Sequence, residues 1–209
     1  MRSWNTNEMA FQVIGLIEDK SIINLGIGLP TAVAEIAPPE KNLIIHSENG
    51  VLGVKGRPSQ DEVSPTLINA GKETISVHNG ASFFNSALSF GMIRGGHVNA
   101  TVLGAMQIGS NGDLANWAIP GKKITGMGGA MDLVNGPGKV IIMSYHFSKN
   151  GESKLVKKCS LPLTGKNVVD YIVTDIGVFK PVPNKEKFRI IKLVSKENEN
   201  KLDKNLFIF

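Results

Sequence analysis

The chain has 209 residues, a formal net charge of +5 and a composition that is 42% hydrophobic and 20% charged. These values describe one ordinary globular domain and exclude disordered, collagen-like and coiled-coil proteins. No apolar run approaches the roughly 20 residues of a membrane span, and the N-terminus lacks the apolar stretch of a secretory signal, so we expect a cytoplasmic protein that binds no membrane. A single cysteine, Cys159, excludes a disulfide framework and a cysteine-rich zinc site.

Helices and strands are predicted to alternate along the first part of the chain. Apolar residues spaced three and four apart predict a helix around 10–17, and short apolar runs predict strands at 22–25 and 43–46. A glycine-rich loop at 26–30 and a helical start at 31–36 separate these two strands. Because this order is typical of βα units, we predict an α/β fold with an open, mostly parallel sheet and flanking helices.

The second part of the chain is predicted to continue the same sheet. A helix is predicted at 84–93, and apolar runs predict strands at 74–77, 101–103, 140–143, 168–173 and 188–194. No linker interrupts the chain, so we expect a single domain over 1–209 that ends in a divergent basic segment, 180–209.

The basic segment contains eight Lys or Arg residues and four acidic residues. Such interleaving is typical of a solvated surface, so we expect no nucleic-acid binding. Its apolar pattern is weak, and we expect it to contribute little to the core unless residues 206–209 dock in a groove.

Three loops that follow strands are candidates for a functional site, because ligands of open α/β sheets collect outside the carboxyl ends of strands. The loops at 26–30 and 126–132 both fail the dinucleotide-binding spacing, and the sequence contains no P-loop. Their backbone amides can still approach an anion or an acyl oxygen closely, although the first loop fits a plain tight turn equally well.

Glu48 lies in the third loop, directly after a predicted strand. A glutamate in a turn is more often simply solvated. The other chemistries find no support, since the four histidines form no metal-binding pair, no serine-hydrolase elbow is present and Cys159 lies in no cysteine-enzyme motif. We therefore expect structural histidines, an inert thiol and no metal. What remains favours covalent catalysis by Glu48, with backbone donors that hold an oxyanion.

A series of motifs runs in order through residues 10–179, at 24–31, 47–53 (which contains S-E-N-G), 68–74, 80–84, 92–97, 112–117, 126–132 and 161–165. By these motifs the chain resembles the β subunit of the family I coenzyme A transferases. The resemblance implies the coenzyme A transferase fold, which is shared with ribose-5-phosphate isomerase A-type proteins. It also implies ping-pong transfer of coenzyme A from an acyl-CoA to a carboxylate, commonly succinyl-CoA or a short-chain acyl-CoA with a 3-oxoacid such as acetoacetate.

Site residues are implied by the same resemblance. Glu48 would be the nucleophile that carries a covalent glutamyl-CoA thioester. The groups that would position and polarise the reacting carbonyls or line the thioester site are Asn24, Gly26, Gly28, Gly129 and Ala130. Lys72 would lie beside the active site as a possible coenzyme A contact, with a surface salt bridge as the alternative.

The resemblance further implies a separately encoded α subunit, in an αβ or α2β2 assembly. No cofactor is expected, because the coenzyme A thioester is a substrate. Segments 54–60 and 143–147 depart from the usual family pattern and leave the acceptor acid open. Two other classes also stay open, namely a sugar-phosphate isomerase-like enzyme and a non-catalytic interaction subunit on the same fold.

Overall fold

The structure is a computed structural model that describes residues 2–121, 123–124, 126, 128–136 and 138–208. Helices α1 to α4 lie at Thr6–Gly15, Ala32–Ile36, Ser86–Arg94 and Ala130–Leu133. Strands β1 to β15 lie at Ile22–Leu25, Ile44–Ser47, Val51–Gly56, Ser76–Phe83, Ala100–Leu103, Gln107–Gly109, Leu114–Ala115, Ala118–Ile119, Lys123–Ile124, Lys139–Met143, Leu155–Val156, Tyr171–Thr174, Gly177–Val182, Lys187–Leu193 and Phe207–Ile208. None of the described helices combines the length and apolar character needed to cross a bilayer.

Ten strands form one sheet, in the order β15-β14-β13-β12-β10-β5-β1-β2-β3-β4. The five central strands, from β12 to β2, are parallel to their neighbours. Antiparallel strands extend the sheet on both sides, β3 and β4 beyond β2, and β13 and β14 beyond β12. The predicted α/β fold with an open, mostly parallel central sheet is confirmed. The prediction missed β3 and β13, because glycines or a proline interrupt their apolar pattern.

The central sheet separates two hydrophobic cores, because neighbouring residues of a strand point to opposite faces. Ile141 belongs to the core beneath α1 and α2, whereas Ile142 belongs to the core that contains Ile93 of α3. Helix α1 begins with a capping box in which Glu8 N–H donates to Asn5 Oδ1 (2.9 Å) and Asn5 N–H donates to the Glu8 carboxylate (2.8 Å). The two faces are thus closed by helices, and the strand ends remain open for a site.

The C-terminal segment belongs to the second core, so the expectation that it contributes little is wrong. Strand β15 pairs with β14, and the Phe207 and Phe188 side chains are 3% and 0% exposed. The Phe207 ring lies 5.4 Å from that of Phe179 and 5.5 Å from that of Phe188. These aromatic residues are far apart in sequence and meet only because the β13–β14 hairpin reverses the chain. Phe209 lies outside the described residues.

Candidate active site

Glu48 lies in the tight turn that joins parallel strand β2 to antiparallel strand β3. Ser47 and Val51 are paired across this turn, so the carboxylate is held at the carboxyl end of β2. Gly50 has φ +118°, and a Cβ at this position would overlap the carbonyl oxygen of Phe84. The glycine of the S-E-N-G motif is therefore required by both its backbone conformation and its close approach to Phe84.

Asn24 lies beneath the carboxylate, on the neighbouring strand β1. It pairs in register with His46, and its side chain is fully buried. Its amide nitrogen donates to Glu48 Oε2 at 3.2 Å and also lies 3.1 Å from His46 Nδ1 and 3.3 Å from the His46 carbonyl oxygen. Three acceptors therefore share the two hydrogens of one amide. Within the described part of the chain this is the only hydrogen bond to the Glu48 carboxylate, and no cation forms an ion pair with it.

His46 is a site residue that the sequence analysis treated as structural. Its ring is 1% exposed, stacks on Phe84 with the ring centroids 6.1 Å apart, and lies 3.0 Å from Ser89 Oγ through Nε2. Burial lowers the pKa of His46 to about 4, so the ring is neutral at pH 7. The available signal was its position two residues before Glu48, at the carboxyl end of the same predicted strand.

The glycine-rich loop before α4 lies against Glu48. A Cβ added to Gly129 would lie 3.6 Å from Glu48 Cγ and 2.8 Å from Cζ of Phe90. Leu133 and Val134 donate to the carbonyl groups of Gly129 and Ala130. The N–H groups at the start of this short helix have no acceptor within the helix. Met127 of this loop lies outside the described residues.

An ion pair holds α4 against α3. Arg94 Nε lies 2.7 Å from Asp132 Oδ1, and the Arg94 guanidinium lies 5.9 Å from the centroid of the Phe90 ring. Phe90 in turn packs against Gly129. The backbone beside Glu48 is thus positioned by side chains from α3, which sequence spacing did not reveal.

The first glycine loop differs in part from its prediction. The Gly26 N–H donates to the carbonyl oxygen of Val102 at 2.8 Å, so it is not available to an acyl oxygen. Gly26 can line the site only through the close approach of its backbone. Gly28 is exposed with φ +86°, a conformation that favours glycine.

The turn that carries Lys72 is fastened to the Glu48 turn. The Ala70 N–H donates to Ser47 Oγ at 3.0 Å, and Asn49 Nδ2 donates to the carbonyl oxygen of Ile68 at 2.7 Å. Lys72 itself is exposed, with φ +64°. Among the described residues it has no ion-pair partner, so the salt-bridge alternative finds no support and the lysine is free to meet an anionic substrate.

Other candidate chemistries find no site in the described residues. No group of three or more metal-binding side chains occurs there. Burial and the neighbouring Asp113 raise the pKa of the Cys159 thiol to about 11, which makes it a poor nucleophile. His146 is buried among aromatic rings, and its pKa is lowered to about 4 by burial and by Lys201.

Large apolar side chains are exposed on the loops and strand next to Glu48. Ile27 in the first glycine loop is 67% exposed, and Phe83, which pairs with Val51, is 60% exposed. Ile124, just before the second glycine loop, is 75% exposed. Ile27 and Phe83 lie on segments that border the Glu48 turn, and exposed apolar side chains beside a functional site are typical of a surface that another molecule covers.

Comparisons with known proteins agree with this geometry. A family model described as "Coenzyme A transferase" matches residues 7–195. The chain is 57% identical over 164 residues to one subunit of the succinyl-CoA:3-ketoacid coenzyme A transferase from Helicobacter pylori, covering 78% of this chain and 79% of that protein. It is 46% identical over 176 residues to the beta subunit of the acetate CoA-transferase from Haemophilus influenzae, covering 84% and 78%.

Solved structures show the same fold at low sequence identity. An acyl-CoA transferase from Escherichia coli superposes with a TM-score of 0.73 at 14% identity. The match covers 99% of this chain and 43% of that one, so the chain spans less than half of the larger protein.

Proposed function

This chain belongs to the coenzyme A transferase family, and on that premise we propose that it transfers coenzyme A from succinyl-CoA or a short-chain acyl-CoA to a 3-oxoacid such as acetoacetate. The observation that carries the proposal is the Glu48 carboxylate, held in an open turn by one amide and beside a glycine loop. An anion with few donors is a better nucleophile than one held in a salt bridge, and such a site suits covalent acyl chemistry.

The proposed reaction begins when a Glu48 oxygen attacks the thioester carbonyl of the acyl-CoA. The C–S bond breaks, coenzyme A leaves as a thiolate, and an acyl-glutamyl anhydride remains. The thiolate then attacks the glutamyl carbonyl, which releases the donor acid as a carboxylate and leaves a glutamyl-CoA thioester. The acceptor carboxylate reverses both steps and leaves with coenzyme A. Atoms and charge balance with no cofactor.

The surrounding residues have roles that follow from their positions. Each attack creates a tetrahedral oxyanion, and backbone N–H groups at Gly129 and Ala130 are the donors proposed to stabilise it. Asn24 orients the attacking carboxylate. Lys72, exposed on its turn, is proposed to bind an anionic part of coenzyme A, and Gly28 leaves room for the thioester.

We base the proposed substrates on the names of two relatives. The Helicobacter relative is named for succinyl-CoA and a 3-ketoacid, and the Haemophilus relative for acetate. The higher identity to the first leads us to propose a 3-oxoacid acceptor. A panel of succinyl-CoA and acetoacetyl-CoA with acetoacetate, acetate, butyrate and succinate would test this choice.

A separate α subunit is proposed as the partner, because both relatives are named as one subunit of an enzyme. The exposed Ile27 and Phe83 beside the Glu48 turn, together with the exposed Ile124, are proposed to be covered in an αβ or α2β2 assembly. We expect the purified chain alone to have negligible activity and the reconstituted complex to have full activity. Equal turnover by the single chain would contradict the two-subunit proposal.

The deciding experiment replaces the nucleophile. Glu48→Gln keeps the shape of the side chain but provides an amide, which is a poor nucleophile, so transfer should be lost in a folded complex. With acyl-CoA and no acceptor, the unmodified complex should accumulate a thioester that borohydride reduces and that peptide mass mapping places on Glu48. The matched control is Glu35→Gln, because Glu35 forms only a surface ion pair with Arg57. Normal turnover in Glu48→Gln, or an adduct on Cys159, would refute the mechanism.

A further inference from the structure

We propose that Ser89 and His46 are positioning residues that fix which end of the Asn24 amide faces Glu48. The inference deepens the proposed function and rests on it for its kinetic consequence. It begins from a continuous chain of buried contacts in which Ser89 Oγ lies 3.0 Å from His46 Nε2, His46 Nδ1 lies 3.1 Å from Asn24 Nδ2, and Asn24 Nδ2 lies 3.2 Å from Glu48 Oε2.

The hydrogen positions along this chain follow from chemistry. The Asn24 nitrogen can only donate, so His46 Nδ1 must accept and carries no proton. The ring is neutral and has one N–H, which therefore resides on Nε2 and donates to the Ser89 hydroxyl. The stacking of the ring on Phe84 holds its plane, so both nitrogens point along the chain.

The consequence reaches Glu48 through the amide. If the proton were on His46 Nδ1, Asn24 would have to turn its oxygen toward the histidine and would then present that oxygen to the Glu48 carboxylate, which repels it. The observed orientation is kept although it leaves the buried Asn24 Oδ1 without a hydrogen-bond partner in the described structure. A buried acceptor left unpaired is unfavourable, so the three acceptors around Asn24 Nδ2 must favour this orientation, and they are the Glu48 carboxylate, the His46 carbonyl oxygen and His46 Nδ1. Of these three only His46 Nδ1 changes between acceptor and donor with the tautomer of the ring, so it is the one that the Ser89–His46 pair can influence.

Ser89 therefore acts on the nucleophile through two intervening side chains, His46 and Asn24. It is fully buried in α3 and touches neither Glu48 nor a substrate. A hydroxyl can donate or accept, so Ser89 does not select the tautomer alone. By accepting from Nε2 it gives a partner to the buried N–H of the tautomer whose Nδ1 accepts from Asn24, and it thereby stabilises that tautomer and the amide orientation that goes with it. This is the role that outer hydrogen-bond partners of a functional histidine commonly have.

Two measurements test the proposal on the full chain in its complex. The 15N chemical shifts of the His46 ring report the tautomer directly, and we expect the proton on Nε2. A proton on Nδ1 would overturn the proposal whatever the activity. Ser89→Ala removes the acceptor of the buried Nε2–H and should move the ring toward a mixture of tautomers, and an unchanged single tautomer would show that the serine does not stabilise it.

The kinetic test separates positioning from folding. His46→Leu should lower kcat on the order of 10²-fold, as for a small misplacement of a reacting group, with KM changed less than about threefold. His46→Gln, whose amide can accept from Asn24 and donate to Ser89, should restore kcat to within about tenfold of the unmodified enzyme. Failure of Gln to rescue, or full kcat in His46→Leu, would overturn the proposal.

His146 supplies the matched control. It is equally buried, its pKa is lowered in the same way, and it takes no part in the site. His146→Leu should lower stability without lowering kcat, and an equal loss of kcat in both variants would show that loss of folding explains the effect. If the unmodified complex has no transferase activity, the proposed function fails, but the tautomer measurement still decides this inference.

Discussion

Replacing Gly129 with alanine should slow the enzyme, because the new methyl group would push against the Phe90 ring. The backbone of Gly129 has φ −79° and ψ −2°, which alanine adopts freely, so no backbone strain is introduced. The new Cβ would lie 2.8 Å from Phe90 Cζ, and the ring must withdraw by about 0.6 Å to regain the 3.4 Å of an ordinary contact. Overpacking of this kind costs about 1–3 kcal/mol of unfolding free energy.

The kinetic effect should exceed the effect on stability. Glu48 Cγ would lie 3.6 Å from the same Cβ, which is an ordinary contact, so the nucleophile need not move. The clash with Phe90 instead shifts the loop that carries the proposed oxyanion donors relative to Glu48. A misplacement approaching 1 Å lowers a rate by on the order of 10²-fold, and we expect kcat to fall by roughly 10- to 100-fold with a slower rate of adduct formation. Steady-state kinetics, single-turnover trapping of the thioester and urea denaturation measure the three quantities.

Gly91→Ala is the control for this variant. A Cβ on Gly91, in α3, meets nothing within 4 Å, and alanine favours a helix by up to about 1 kcal/mol. It should leave kcat unchanged and stability equal or higher. If Gly129→Ala retained kcat within twofold at native stability, the packing of Phe90 against the loop would not position the reacting groups.

Three further variants test the rest of the structure. Phe207→Ala should lower the unfolding free energy by about 3–5 kcal/mol in urea denaturation, whereas Ile191→Ala, half exposed on β14, should cost less than about 1 kcal/mol; equal effects would show that β15 is not packed. The pKa of His146 is lowered from 6.5 to about 4, so the unfolded chain binds a proton more readily and this residue should contribute about 3 kcal/mol to the loss of stability as the pH drops from 6.5 toward 4. His146→Gln should remove this contribution and leave that of His46, whose pKa is lowered to the same value, and an unchanged slope would contradict the assignment. Cys159, whose pKa is raised to about 11, should react slowly with iodoacetamide at pH 7.5 until urea unfolds the chain, and rapid labelling of the folded protein would contradict the raised pKa.

Local pattern was enough to predict the centre of the molecule. The strands at 22–25 and 44–47 each begin with two isoleucines, and a short apolar run between turn residues is consistent with a buried parallel strand. Glu48 was predicted as a site residue for the same reason, because its turn directly follows one of these strands. The hairpin strands at the margins were missed, because β3 and β13 are defined by what they pair with rather than by their own composition.

Contacts between distant residues account for the other differences. Ser89 and His46 are 43 positions apart, and no spacing rule predicts that a helix will place a hydroxyl against that ring. The Gly26 N–H was expected to be free, but the register of β1 with β5 occupies it. Phe207 looked like part of a polar tail because the rings that surround it are contributed by β13 and β14.

The Asn24 amide has other acceptors besides Glu48, so its own hydrogen bonding does not depend on whether residue 48 is charged. In the proposed cycle Glu48 alternates between an anion and a neutral acyl or thioester derivative, whose carbonyl oxygen accepts a hydrogen bond more weakly than a carboxylate does. When this hydrogen bond weakens, the Asn24 amide still has the His46 carbonyl oxygen as an acceptor, 3.3 Å from the same nitrogen. The strands beneath the site therefore need not rearrange between the two halves of the cycle.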